Sequence, residues 1–173
     1  MDGTHLTDDQ VRIVYLPPAW VAAYRYVGDE PESHVNRVMD AFVRETRLTQ
    51  IKPDLRHYGF NAPNPKDETG CHGYEMWVTI PEGMEVPAPL ERKRFEGGLY
   101  AAVMIPMGAF EMWDRLNEWV KHSAQYVYCG SGSGEDMGGC LEEHLNYFHH
   151  VQQENSEPDN MQLDLLTPVK EKE

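Results

Sequence analysis

Between Gln10 and Leu16, Val11, Ile13 and Tyr15 alternate with residues of mixed polarity, the period-two pattern of a half-buried strand. Pro17-Pro18 interrupts it, and Trp20 to Val27 is a second, aromatic-rich strand ending at Gly28. Gly28-Asp-Glu-Pro31 reads as a turn. Val35, Val38, Met39, Phe42 and Thr46 then fall at helical spacing, which predicts an amphipathic helix from about Ser33, its cap, to Leu48, ending before Pro53. Residues 57–61 read as a short strand, Pro63 to Gly70 as a polar loop, and His72 to Ile80 as a strong strand closed by Pro81.

That order then recurs. After Pro87 and Pro89 come Glu91 to Phe95 and Leu99 to Met107, with Gly97-Gly98 as the turn between them. A helix from about Ala109 to Ser123 presents Phe110, Trp113, Leu116 and Val120 on one stripe. Gly139 to Asn146 and Gln162 to Val169 read as the last strands, Gly130 to Gly134 as a linker, and His149 to Asn160 as a long exposed polar loop. Tyr100-Ala-Ala-Val-Met-Ile-Pro-Met-Gly108 repeats the pattern of Trp20 to Gly28 roughly eighty residues on. Each half reads strand, strand, helix, then one or two strands, so the fold class is α+β, with two helices laid on an antiparallel sheet, and two such modules across a pseudo-twofold would make a groove between them. One domain spans 1–173, with halves at about 10–86 and 90–169 and a solvated tail at 170–173.

Composition changes the picture in two ways. The net charge is −14, from 29 acidic and 15 basic residues, which argues against direct nucleic-acid binding and favours cations. No apolar run is long enough to span a membrane, and the N-terminus lacks the basic and apolar regions of a signal peptide. With the odd cysteine count of three, this predicts a cytoplasmic protein with reduced thiols. Cys71-His72, Cys129, Cys140 and His149-His150 lack zinc spacings, so no metal or cofactor is expected.

Strand parity supplies the candidate site. Tyr74, Met76, Val78 and Ile80 share one face, read as helix-facing core, while Glu75, Trp77 and Thr79 share the other. If Leu141 and Leu145 mark the core, Glu142 and His144 point into a groove. Each half would then aim a glutamate and an adjacent ring, Glu75 with Trp77 and Glu142 with His144, into one space. Tyr24, Tyr26, Tyr58 and Trp113 are further candidates to wall it. A carboxylate among ring faces in a dry groove suits a lipophilic cation.

Taken together these segments resemble the GyrI-like family, also called the AraC-type effector-binding domain. The likeness rests on Trp20 to Gly28 leading into a helix, on Gly73-Tyr-Glu-Met-Trp-Val-Thr-Ile-Pro-Glu82, and on Phe95-Glu-Gly-Gly-Leu-Tyr-Ala-Ala102. It continues through the helix holding Trp113 and Trp119, then Leu141 to His144, and ends at Leu165 to Lys170. The resemblance implies a duplicated β-α-β-β fold with a central ligand cleft that binds small, often cationic and aromatic molecules, with Glu142 as the ligand-facing acid. Leu141 and His144 stand where the family usually has aromatics. Many relatives carry a DNA-reading helix-turn-helix; this chain begins at the first strand, and the expectation is a stand-alone binder or one acting through a protein partner. Three functions follow: sensing or sequestering cationic or amphipathic aromatic compounds, hydrolysis of reactive electrophiles in the same cleft, or inhibition of an enzyme through the acidic surface. The first is preferred, with no residue assigned as catalytic.

Overall fold

The computed structural model describes residues 5–131, 136–153 and 161–173. In chain order the elements are β1 (Arg12–Leu16), β2 (Ala19–Gly28), α1 (Pro31–Glu45), α2 (Leu48–Ile51), β3 (His57–Asn61) and β4 (His72–Ile80). There follow β5 (Glu91–Phe95), β6 (Gly98–Pro106), α3 (Met112–His122), β7 (Tyr126–Tyr128), β8 (Leu141–His144), α4 (Tyr147–His150) and β9 (Gln162–Glu171).

The strands form one curled antiparallel sheet in the order β1-β6-β9-β8-β3-β4-β2-β5, with β7 paired to the end of β9. Outward from the centre, β8-β9-β6-β1 mirrors β3-β4-β2-β5, so a pseudo-twofold axis runs between β3 and β8. The outermost strands are exchanged. β1 pairs with β6 of the second half, and β5 pairs with β2 of the first. Pro17-Pro18 makes this possible, because residues without an N–H end one ladder and let the chain cross to the next. Gly97 sits at that crossing in a left-handed conformation (φ 67°), where a Cβ would come within 2.2 Å of the Leu16 carbonyl oxygen.

Both long helices lie on the same sheet face. α1 packs Val35, Met39, Phe42 and Val43 over β2 and β4, and α3 packs Leu116 and Val120 against β6 and β9. The opposite face curls around a third core in which Leu16, Val21, Tyr58, Phe95, Tyr100 and Leu166 meet, drawn from both halves. β4 is therefore buried on both faces, and its alternation does not say which face meets the helices.

Boundaries differ from expectation at several points. α1 begins at Pro31 after Glu30 in a left-handed conformation (φ 46°), not at a Ser33 cap; proline at the first helical position needs no N–H partner. It stops at Glu45, and α2 follows Arg47, also left-handed. The polar stretch expected as loop from His149 begins inside α4, whose Tyr147 and following Val151 are buried; residues 154–160 lie outside the described residues, as do 132–135 of the expected glycine linker. β7 was not foreseen, and β9 extends through Glu171 into the expected tail.

Candidate functional site

With α1 over one half and α3 over the other, neither long helix covers the paired central strands β3 and β8. Their upward side chains floor a cleft of about 1220 Å³. His57 and Asn61 come from β3, and Glu142 and His144 from β8, with Cys140 just before it. α1 contributes Asn36 and Asp40, while Phe110 and the α3 residues Trp113 and Asn117 form the facing wall. Tyr74 and Met76 of β4, Leu163 of β9 and Tyr147 and His150 of α4 complete much of the lining.

The register explains how Glu142 is held. Gly59 stands directly opposite it, and Met76 stands opposite Gly59 on the far side. The Tyr74 ring lies across the gap that glycine leaves, and its hydroxyl donates to Glu142 Oε2 at 3.0 Å. A Cβ at position 59 would sit 2.2 Å from that hydroxyl oxygen, so any side chain there displaces the ring. The Trp113 indole on α3 lies beside the same carboxylate and also favours its charged form. Burial pushes the Glu142 carboxyl above its ordinary range and the nearby Glu32 charge adds to that, while Tyr74 and Trp113 pull it only part of the way back. Among the described residues lining the cleft there is no lysine or arginine. Glu142 is thus a carboxylate with a neutral donor and no counter-cation.

A second carboxylate has similar company. Asp40 accepts from the Tyr147 hydroxyl at 2.7 Å, and burial raises its pKa against the pull of that bond and of Arg44. The remaining acid on the rim, Glu32, is bonded to the His72 ring.

The histidines at this end are held neutral. His57 is buried, with neither ring nitrogen partnered by another of the described residues, and its ring packs 4.3 Å from Tyr147 and 5.3 Å from His144. Burial, with the His144 charge, lowers its pKa to about 3. His144 is lowered to about 4 by burial and by His150, whose Nδ1 lies 2.6 Å from its Nε2.

Of the residues singled out from sequence, Glu142, His144 and Trp113 are brought together here. Glu75 and Trp77 are not: they lie on the opposite sheet face with Tyr58, so the two glutamates do not converge. Glu75 is 1% exposed and saturated by Arg25 Nε at 2.9 Å, Lys93 Nζ at 3.1 Å and the Trp77 indole. Tyr58 fills the core on that face, where Arg56 pairs bidentately with Glu143 at 2.7 and 2.6 Å. Tyr24 and Tyr26 share the cleft-bearing face but stack on His34 of α1, with centroids at 5.9 and 3.8 Å, away from the cavity. The error was to take the helix-facing side of β4 as closed core; the cleft opens on that side. Sequence reasoning thereby missed Tyr74 and Met76, and it missed Asp40, His57 and Tyr147. The 57–61 strand parity held a signal, since it places His57, Gly59 and Asn61 on one face.

The sequence profile of a family described as Cass2, integron-associated effector binding protein, matches residues 12–169. The chain belongs to this family. The Cass2 fold seen here is that of the GyrI-like effector-binding domain, and effector binding is the binding of a small molecule. The crystal structure of the EcmrR C-terminal domain is similar over 93% of this chain and 97% of that one, at 9% identity and a TM-score of 0.63. EcmrR in its DNA complex matches with a TM-score of 0.65 at 10% identity; this chain covers 57% of that longer protein, against 93% of its own length. A hydrolase from Listeria innocua is also similar, at 13% identity and a TM-score of 0.64, with 93% and 92% of the two chains covered. At these identities the likeness is one of fold. No curated protein matches the sequence. Among the described residues no helix is long and apolar enough to cross a membrane.

Proposed function

We propose that this Cass2-family protein binds a lipophilic, positively charged aromatic compound in the central cleft, with Glu142 as the charge partner. The observation that carries this reading is Glu142 itself, half-buried, bonded by the neutral Tyr74 hydroxyl with the Trp113 indole beside it, and facing a cavity lined by no lysine or arginine among the described residues. Burial makes the bare carboxylate costly, and a cation removes that cost in a site where water screens little. Trp113, Phe110 and Met76 supply flat and deformable apolar surface beside it. The net charge of −14 raises the local concentration of cations.

Titration with rhodamine 6G, followed by tryptophan quenching, tests the reading. Saturable binding is expected, weakened about tenfold or more by Glu142→Gln, since one ion pair in a dry site is worth at least that factor. The acid's raised pKa fixes the pH dependence: protonated Glu142 does not pair with the dye, so affinity falls as pH drops through that pKa. His144, neutral down to about 4, adds repulsion only below that point. Binding insensitive to Glu142→Gln sinks the assignment.

A further inference from the structure

Asp40 faces the same cleft from the other half of the molecule, and its environment parallels that of Glu142. Each carboxylate accepts from one tyrosine hydroxyl, Tyr147 at 2.7 Å for Asp40 and Tyr74 at 3.0 Å for Glu142. A carboxylate has about four acceptor positions, so most of the capacity of Asp40 is open. Arg44, one helical turn on, attracts the Asp40 carboxylate through space but makes its hydrogen bonds elsewhere. Its Nε donates to the Val151 carbonyl at 2.8 Å and its Nη2 to that of Gln153 at 3.1 Å, which pins the segment after α4. Beside Tyr147, no other described residue partners either nitrogen of the buried His57, so this end of the cleft holds an unsatisfied polar ring that burial keeps from charging.

Two carboxylates line one poorly solvated space, and a single monovalent ligand pairs with only one of them. The cavity, at about 1220 Å³, is larger than a compact ligand needs. We propose that the cleft selects ligands with two separated positive charges, one held by Glu142 on β8 and the other by Asp40 on α1, joined by an apolar spacer along Met76 and Trp113. This rests on the reading of the cleft as a cation site and adds the second charge and the residue that takes it.

The test compares α,ω-bis(trimethylammonium)alkanes of six, eight and ten methylenes with n-alkyltrimethylammonium ions of the same lengths, displacing rhodamine 6G from the full chain. Wild-type protein should favour the doubly charged ligand by about tenfold at one preferred length, the factor of one further ion pair. Asp40→Asn should abolish that preference while leaving the singly charged ligands unchanged. Glu142→Gln should weaken both series. Glu45→Gln, an exposed acid on α1 outside the cleft, controls for the overall negative field and should change nothing.

Equal affinities for the two series, with Glu142→Gln still weakening them, overturn this proposal and leave the single-cation reading standing. Equal losses from Asp40→Asn and Glu45→Gln overturn it as well, since the preference would then be a bulk field effect. If neither series displaces the dye, the proposal falls together with the cation reading. If Asp40→Asn does not fold, the length series decides: a maximum at one spacer marks two fixed charge sites, and a steady rise with length marks hydrophobicity alone.

Discussion

His57 shows how one side chain couples the cleft to stability. In the unfolded chain its imidazole titrates near 6.5, whereas in the folded protein burial and His144 hold it at about 3. Between those values the unfolded state binds a proton that the folded state refuses. The contribution of His57 is therefore fully present above about 6.5 and is lost as pH falls toward 3, by about 1.4 kcal/mol per pH unit for one proton. His144, lowered to about 4, acts in the same direction. Urea midpoints measured at pH 7.5 and 5 should show a smaller acid loss for His57→Phe than for wild type. The same loss in both would mean that His57 is already protonated in the folded protein.

At the level of strands, the two glutamates chosen by the same parity argument have opposite jobs. Glu75 ties β4 to β2 through Arg25 and to β5 through Lys93, on the face away from the cleft. Glu142 ties no strand by an ion pair and faces the cavity. Glu75→Gln leaves half-exposed Arg25 without its anion and Lys93 with only Glu91 at 3.9 Å, and is expected to cost about 2 kcal/mol, at the low end for a broken buried pair because both cations keep some hydration. Its rhodamine 6G affinity should be that of wild type. Glu142→Gln should show the reverse, near-native stability and weak binding. Denaturant midpoints and dye titrations run in parallel on both variants separate the roles, and a loss of dye binding in Glu75→Gln at unchanged stability would contradict this division.

For the whole molecule, the exchange of β1 and β5 means that each half completes the other's sheet. The core beneath the curl draws Tyr58, Val21 and Phe95 together with Tyr100, Leu141 and Leu166, and Arg56–Glu143 joins the halves across β3 and β8. Either half alone would expose those apolar groups and the open edge of β3 or β8. Fragments 1–88 and 89–173 are each expected to show no cooperative thermal transition by circular dichroism. A cooperative transition in either would show that a half suffices. The cleft follows from the same symmetry, since it lies over the strand pair where the halves meet.

What could be read from sequence was local and periodic. The amphipathic stripes of α1 and α3, the strands broken by proline and glycine, and the repeat between Trp20 to Gly28 and Tyr100 to Gly108 carry the duplicated α+β fold, because a side chain's periodicity is set by its own backbone. Parity on β8 brought Glu142 and His144 to one face by the same logic. Which face of β4 opens on the cleft was decided only in three dimensions. The sheet curls and buries both its faces, so alternation on Tyr74 to Ile80 could not tell helix side from curl side, and Glu75 and Trp77 were placed in the wrong space. Asp40, Tyr147 and His57 had no local signal of a shared role, since α1, α4 and β3 are far apart in sequence. Tertiary packing alone puts their side chains at one end of one cavity, and burial there sets the protonation that the chemistry depends on.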